Sequence, residues 1–163
     1  MNRSSGTLHL IVGASVLVCL LLSVYPLPSN YIGLRPEFLC LVMVYWVTHI
    51  PQHIGVFYAW FVGLAQDIVE GSVWGGHALA LAVVAYICLV SYQRIKNYSV
   101  WHQSLWVVVL VGLHQLIVNG IQGLAGYHSH PHQLLLSIII SAMFWPVLHV
   151  LVSRVRHLYR VAH

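Results

Sequence analysis

Long apolar runs separated by short polar breaks are the main pattern of this chain. Residues 8–27, 73–92, 104–124 and 134–153 are almost wholly apolar. Each run has about the 20 residues that a helix needs to cross a bilayer. The first run ends at Pro26 and Pro28, which together stop a helix. The pattern therefore predicts a membrane-spanning helix in each of these runs.

The apolar stretch after the first run is divided by a polar break at Pro51, Gln52 and His53. Its halves, residues 36–50 and 54–69, are both short for a full crossing. They are predicted either as two short spans or as a helical hairpin that enters the membrane and returns. Non-helical backbone at membrane depth is tolerated only where protein or water covers it. The pattern leaves both arrangements open.

The composition is that of a membrane protein. Hydrophobic residues make up 60% of the chain and charged residues 6%, against about a quarter charged in soluble domains. We therefore predict an all-α, polytopic bundle of about six helices that forms a single membrane domain over residues 1–163. The basic residues lie mostly at span ends rather than in one patch, and this distribution argues against nucleic-acid binding.

The charge at span ends predicts the orientation of the chain. With six spans and a cytoplasmic N-terminus, six of the seven basic residues face the cytoplasm. Cytoplasmic loops of membrane proteins are enriched in Lys and Arg, so both termini are predicted to be cytoplasmic. A re-entrant hairpin leaves this result unchanged. The cytoplasmic residues are Arg3, Arg94, Lys96, Arg154, Arg156 and Arg160, and the outer one is Arg35.

A repeated spacing of four residues places Gly63, Asp67, Gly71 and Gly75 in a row. On one helix this spacing forms a single stripe. Its glycines would let another helix approach closely. An ionisable residue inside a membrane is costly and marks a functional position by default. The stripe is therefore the first candidate for a helix contact on which function depends.

Charged residues near the stripe supply a candidate partner for Asp67. In the six-span arrangement, Arg35 and the turn after Glu70 face the same outer side. Arg35 is therefore predicted to pair with Asp67 or Glu70, because opposite charges offset one another's desolvation. A partner is expected for a second reason, since Asp67 lies near the C-terminal end of its helix, where the dipole disfavours a negative charge. The alternative is solvation at the interface without function.

Polar side chains of the last two predicted spans fall on single helical faces. Such faces either bond neighbouring helices or line a cavity. Bonding between helices is favoured, because His114 is the only ionisable side chain among them. The residues are Gln115, Asn119 and Gln122 with His114 alongside, and Ser137 with Ser141.

Candidate metal and catalytic residues give weak signals. His128, His130 and His132 can project the same way from an extended loop, and imidazole binds Zn, Cu or Ni. No Cys, Asp or Glu accompanies them, so no metal site is predicted. An aspartyl protease needs two aspartates, and this chain has one. The nucleophile elbow of serine hydrolases and the phosphate-binding loop are also absent, so neither enzyme activity nor a cofactor is predicted.

A series of short motifs follows in a specific order along nearly the whole chain. In this order the chain resembles the MreD family of bacterial rod shape-determining membrane proteins. The histidine-rich loop is not part of the resemblance. The motifs are Arg35, Pro36 and Glu37, then Tyr45 and Trp46, then Gly63, Asp67, Gly71, Ser72, Gly75, Ala78 and Leu79, then a basic loop after Tyr92, and Trp145 with Pro146 before a basic tail.

The resemblance implies a noncatalytic scaffold subunit of the cell-elongation complex, located in the bacterial inner membrane. The implied partners are MreC, MreB filaments, and RodA with its penicillin-binding transpeptidase. The basic residues also predict contact with anionic lipid, and a homo-oligomer stays open. The implied fold is similar to the substrate-binding subunits of energy-coupling-factor transporters. A small-molecule-binding subunit of a transporter is therefore the alternative function, since fold does not settle function.

The candidate interaction residues form two groups under this hypothesis. The outer group would fix the ends of the two short helices and so build a platform for the transmembrane helix of MreC. The inner group would face the cytoplasmic leaflet or MreB. The outer residues are Arg35, Pro36, Glu37, Gly63, Asp67, Gly71, Ser72 and Gly75, and the inner ones are Arg94, Lys96, Arg154, Arg156 and Arg160.

Overall fold

The computed structural model of the protein describes residues 3–24, 36–73, 75–126 and 131–161. Within these ranges the chain forms helices and short turns, and no strand. The predicted all-α bundle is confirmed. The helices are α1 (Arg3–Val24), α2 (Phe38–His49), α3 (Val56–Glu70), α4 (Gly76–Lys96), α5 (Val100–Leu124) and α6 (Pro131–Val161).

The described helices differ in their ability to cross a membrane. Three segments are long and apolar enough: Gly76–Lys96, Val100–Leu124 and Leu134–His157. The predicted break at Pro51 is confirmed, because α2 ends at His49 and α3 begins at Val56. A helix of 12 residues, the length of α2, is about 18 Å long. The hydrocarbon core of a bilayer is about 30 Å thick.

The short helix α2 forms the centre of the bundle. Every residue from Leu39 to Thr48 is buried, and α1, α4, α5 and α6 pack around the helix. Its largest buried side chains are Tyr45 and Trp46. Burial of residues 39–48 by protein is the condition under which a helix too short to span is tolerated at membrane depth.

Helix ends differ from the ends of the predicted runs. α5 begins at Val100 rather than at residue 104, and α6 continues to Val161, past the predicted end at residue 153. Counting apolar residues stops where polar side chains begin. Helical hydrogen bonding continues further, because long basic side chains at a helix end can reach water. Arg154 and Arg156 therefore lie on the same continuous helix as the sixth span.

Candidate functional site

Two glycines in left-handed backbone conformation shape the turn between α3 and α4. Gly71 has a φ of 63°, and its N–H caps α3 by donating to the carbonyl oxygen of Asp67. Gly75 has a φ of 94° and precedes the first residue of α4. A positive φ suits glycine and ends a helix. The prediction of one helical stripe is therefore wrong, because Gly63 and Asp67 lie on α3 whereas Gly71 and Gly75 lie in the turn.

Close approach of α3 to α4 depends on Gly63. A Cβ atom at this position would lie 2.6 Å from the backbone nitrogen of Ala78 and 2.6 Å from the carbonyl oxygen of His77. Nothing lies within 4 Å of a Cβ placed at Gly71 or Gly75. The three glycines thus have two different functions. Gly63 provides space between the helices, and the other two allow the backbone to turn.

The carboxylate of Asp67 joins the end of α3 to the start of α4. Its Oδ1 atom accepts hydrogen bonds from the Ser72 hydroxyl at 2.8 Å, from the His77 backbone N–H at 3.0 Å and from His77 Nδ1 at 2.8 Å. Its Oδ2 atom accepts from the backbone N–H groups of Gly75 at 2.9 Å and Ala78 at 3.3 Å. We call Asp67 with these five donors the clamp.

The clamp satisfies backbone groups that a helix cannot satisfy itself. The first N–H groups of any helix have no partner within it, and no side chain of α4 itself caps its start. Asp67 supplies the acceptor from the preceding helix and places its negative charge at the positive end of the α4 dipole. Only 1% of the Asp67 surface is exposed, and its negative charge is stabilised by the N–H groups at the start of α4. Among the described residues, the five hydrogen bonds and the α4 dipole offset the cost of burying this charge.

His77 extends the clamp toward the centre of the bundle, and the sequence analysis did not single it out. Its Nε2 atom lies 3.6 Å from Glu70 Oε2, and Gln66 donates to Glu70 Oε1 at 3.0 Å. The ring of His77 lies 5.7 Å from the buried ring of His114 on α5. His77 lies in the first turn of α4, within the segment that contains the glycines, and this position could have identified it as a candidate.

A second polar network joins the start of α2 to α5 and α6. The backbone N–H of Glu37 donates to the Ser141 hydroxyl at 2.9 Å, and Gln115 Nε2 donates to Glu37 Oε1 at 2.6 Å. Asn119 donates to Gln115 Oε1 at 2.9 Å. His114 Nδ1 lies 4.0 Å from Glu37 Oε2. These contacts place Glu37 at the same end of the bundle as the clamp, which we call the clamped end.

The remaining predicted residues are distributed as follows. Arg35, His128 and His130 lie outside the described residues, so the pairing of Arg35 with Asp67 stays a prediction. For His132 and Arg160 only the helical backbone is described. The Pro36 carbonyl accepts from the N–H of Phe38 at 2.9 Å. Within the described part of the chain, no group of three or more His, Cys, Asp or Glu side chains is arranged to hold a metal ion.

The basic end of the bundle lies opposite the clamped end. It comprises the C-terminal turns of α4, with Arg94 and Lys96, and of α6, with Arg154 and Arg156. Arg94, Lys96 and Arg154 are exposed and Arg156 is half-buried. Residues 76 and 96 of α4 are about 30 Å apart along the helix axis. The acidic and basic side chains of the described residues are thus separated by the length of the bundle.

Two of the cavities formed by the described residues lie near the clamp and α2. An apolar groove of about 450 Å³ lies between α1 and α6, over α2. A smaller cavity of about 310 Å³ lies beside the α3–α4 turn and is lined by Glu70, Gly71, Ser72, Val73 and Gln122. The groove is lined on α1 by Ala14, Ser15 and Val18, on α2 by Trp46, and on α6 by Phe144 and Leu151, among others.

Comparison with known proteins decides the family. The family model described as rod shape-determining protein MreD matches residues 4–155. The chain belongs to the MreD family. The rod shape-determining protein MreD of Haemophilus influenzae is 31% identical over 139 residues, which cover 85% of this chain and 86% of that relative. No solved structure matches the chain. The resemblance found in the sequence is confirmed, and the chain is a membrane protein of the MreD family.

Proposed function

We propose that this MreD-family chain is a noncatalytic scaffold of the bacterial cell-elongation complex that docks the transmembrane helix of MreC in the groove between α1 and α6. It would thereby help to couple MreB filaments to peptidoglycan synthesis by RodA and its penicillin-binding transpeptidase. The observation that carries the proposal is the groove itself, a long apolar recess between α1 and α6.

The lining of the groove suits a helix. From Phe144 to Val155 on α6 the groove extends over 12 residues, or about 17 Å along the helix. Three of the six residues that line it on α1 are small, namely Ala14, Ser15 and Cys19. Helices associate in lipid by van der Waals packing, and small residues let their backbones approach. The groove therefore offers a partner helix close contact along three turns.

The groove also lacks free polar groups that would require a polar partner. Ser15 and Trp46 lie at its base, and the Trp46 indole N–H donates to the Ser15 hydroxyl at 2.9 Å. That hydroxyl in turn donates to the carbonyl oxygen of Val12 at 2.7 Å. Because these polar atoms satisfy one another, the surface offered to a partner is apolar. An apolar transmembrane helix matches such a surface without desolvating any polar group.

The clamp supports this surface indirectly. α2 forms the base of the groove and also packs against α4, and the position of α4 is fixed by Asp67. The proposed orientation places the basic end at the cytoplasmic face of the inner membrane, with both termini in the cytoplasm. There the basic side chains would face anionic lipid and MreB. Asp67 and Gly63 act inside the bundle in this proposal and do not touch MreC.

Filling the groove tests the proposal. Ala14→Trp places a large side chain in the groove, whereas Leu116→Trp places one on α5, where Leu116 is 71% exposed. Overpacking costs about 1–3 kcal/mol, so the amount of MreC that co-purifies with Ala14→Trp should fall roughly 5- to 100-fold. Leu116→Trp should retain wild-type capture. Equal capture by both variants at equal expression would show that the groove is not the docking site.

The small cavity beside the α3–α4 turn keeps the transporter alternative open. Its lining includes the polar side chains of Glu70, Ser72 and Gln122, and small-molecule sites use a few polar groups of this kind to orient the ligand. In that case the purified protein would bind a small molecule saturably and would capture an ATPase module. A scaffold would instead bind MreC in fixed stoichiometry. Glu70→Ala should abolish the binding of a small molecule and leave MreC capture intact.

A further inference from the structure

Histidine and basic side chains from three helices meet at the basic end. His49 ends α2, Lys96 ends α4, and His149 and Arg156 lie seven residues apart on α6. Residues at this spacing share one face of a helix, and a side chain on a helix leans toward its N-terminus, so Arg156 leans toward His149. Lys96, His149 and Arg156 all interact electrostatically with the His49 ring.

Tyr45 packs the two histidine rings into one group. Its ring is stacked on His49 with the centroids 4.1 Å apart, and it meets His149 edge-on at 5.4 Å. His49 Nδ1 lies 2.8 Å from the backbone carbonyl oxygen of Tyr45. A carbonyl oxygen only accepts, so Nδ1 carries the proton of this bond. The Nε2 atom of His49 is therefore the nitrogen that remains for another group, and it donates to an anion when the ring is protonated.

Two polar groups of this cluster are buried with no hydrogen-bond partner among the described residues: the Tyr45 hydroxyl and the Nε of Arg156. Tyr45 is fully buried, and its hydroxyl interacts electrostatically with Arg156. Buried polar groups are nearly always hydrogen-bonded, and each exception needs an explanation. Here the two unpaired donors come from different helices, α2 and α6.

No carboxylate of the described residues balances the charge at this place. Arg94, Lys96, Arg154 and Arg156 form no ion pair with any described residue. Glu37 lies at the other end of α2, about 18 Å from His49 along the helix. Asp67 and Glu70 lie beside the start of α4, whereas Lys96 lies at its end. Like charges held together repel one another, and a bound anion relieves that repulsion.

We propose that Tyr45, His49, His149 and Arg156 form a binding site for a phosphate group. A guanidinium and several N–H and O–H donors suit phosphate oxygens. Basic pockets between membrane helices on the cytoplasmic side bind anionic head groups. The phosphate belongs either to a lipid or to a free anion, and the chemistry of the site is the same for both. The site shares no residue with the groove, so its failure and the failure of MreC docking are separate results.

The test uses the purified full-length protein in neutral detergent at fixed ionic strength. The midpoint of thermal unfolding is followed while phosphatidylglycerol, diacylglycerol or inorganic phosphate is added, because a ligand of the folded state raises the midpoint. Phosphatidylglycerol should raise it, and diacylglycerol, which lacks the phosphate, should not. A rise with inorganic phosphate as well would assign recognition to the phosphate alone, and a rise with the lipid only would assign it to the lipid head group.

Two variants that each remove one positive charge distinguish a specific phosphate site from general attraction between a basic surface and anionic lipid. Arg156→Gln should raise the half-saturating lipid concentration about tenfold, whereas Arg154→Gln, at an exposed position two residues away, should leave it unchanged. Tyr45→Phe removes only the hydroxyl and should raise it roughly threefold, which keeps the test valid if Arg156→Gln does not fold. Equal effects of the two arginine variants, or equal responses to both lipids, would overturn the proposal.

Discussion

The charged side chains at the two ends of the bundle differ in their hydrogen-bond partners. At the clamped end each carboxylate accepts a hydrogen bond from the protein: Asp67 from the clamp, Glu70 from Gln66 and Glu37 from Gln115. At the basic end the Nε of Arg156 is buried with no hydrogen-bond partner among the described residues. The carboxylates are hydrogen-bonded to other side chains of the bundle. The basic side chains form no ion pair with a described residue and are available to a ligand outside the bundle.

This difference separates internal structure from interaction. A buried charge that is fully hydrogen-bonded fixes the positions of the elements that it joins, and removing one partner leaves the other uncompensated. The clamped end thus fixes α3 against α4, and α2 against α5 and α6. Charged groups without internal partners contribute little to folding and are available to lipid or to another protein. Substitutions at the two ends should therefore have opposite signatures.

The largest effect is expected for Asp67→Ala. It removes the acceptor of five hydrogen bonds and leaves the His77 ring and the first N–H groups of α4 unpaired in a buried site. The free energy of unfolding, measured by titration with a denaturing detergent in mixed micelles, should fall by about 3–5 kcal/mol. Ser72→Ala removes one donor of the clamp and should cost about 1 kcal/mol. Similar small losses for both variants would mean that the clamp does not hold α3 and α4 together.

The next effect concerns the backbone contact beside the clamp. In Gly63→Ala the new methyl group meets the backbone of α4, which has to shift, so unfolding free energy should fall by about 1–3 kcal/mol. Gly13→Ala is the matched control, because nothing lies within 4 Å of a Cβ at Gly13 in α1. There the substitution should stabilise the helix by about 0.5–1 kcal/mol. Opposite signs in one unfolding assay are the expected result.

Run lengths predicted the fold well, because they follow from the membrane as a solvent. Three of the four predicted full-length helices, the break at Pro51 and the all-α class were visible in the positions of apolar residues, whereas the apolar part of α1 that the structure describes, Leu8–Val24, is shorter than a full span. The central location of α2 was not visible, since a fully apolar segment looks the same whether lipid or protein surrounds it. The ends of α5 and α6 were also missed, because helices continue past the apolar core.

The site was predicted in part. The single aspartate of an almost uncharged chain identified Asp67, and glycine spacing identified Gly63. The spacing of four also suggested one helix where there are two, because the glycines at positions 71 and 75 fall at the same interval for a different reason, their positive φ. His77 was overlooked because its importance arises from the turn, which brings it back onto Asp67. The spacing of residues along one helix does not predict which residues of the next helix a turn brings into contact with it.

The smallest effects give the sharpest comparison between the two ends. Ser141→Ala removes the hydroxyl that accepts the Glu37 N–H, and it should lower the unfolding free energy by about 1 kcal/mol. Tyr45→Phe removes a hydroxyl that is equally buried but has no described partner. Without added lipid it should change stability by less than about 0.5 kcal/mol or raise it slightly, because an unpaired buried hydroxyl costs energy. With phosphatidylglycerol added, Tyr45→Phe should become the less stable protein relative to wild type. A cost of Tyr45→Phe that is the same with and without the lipid would place its hydroxyl in the internal structure, and the two ends would then no longer differ.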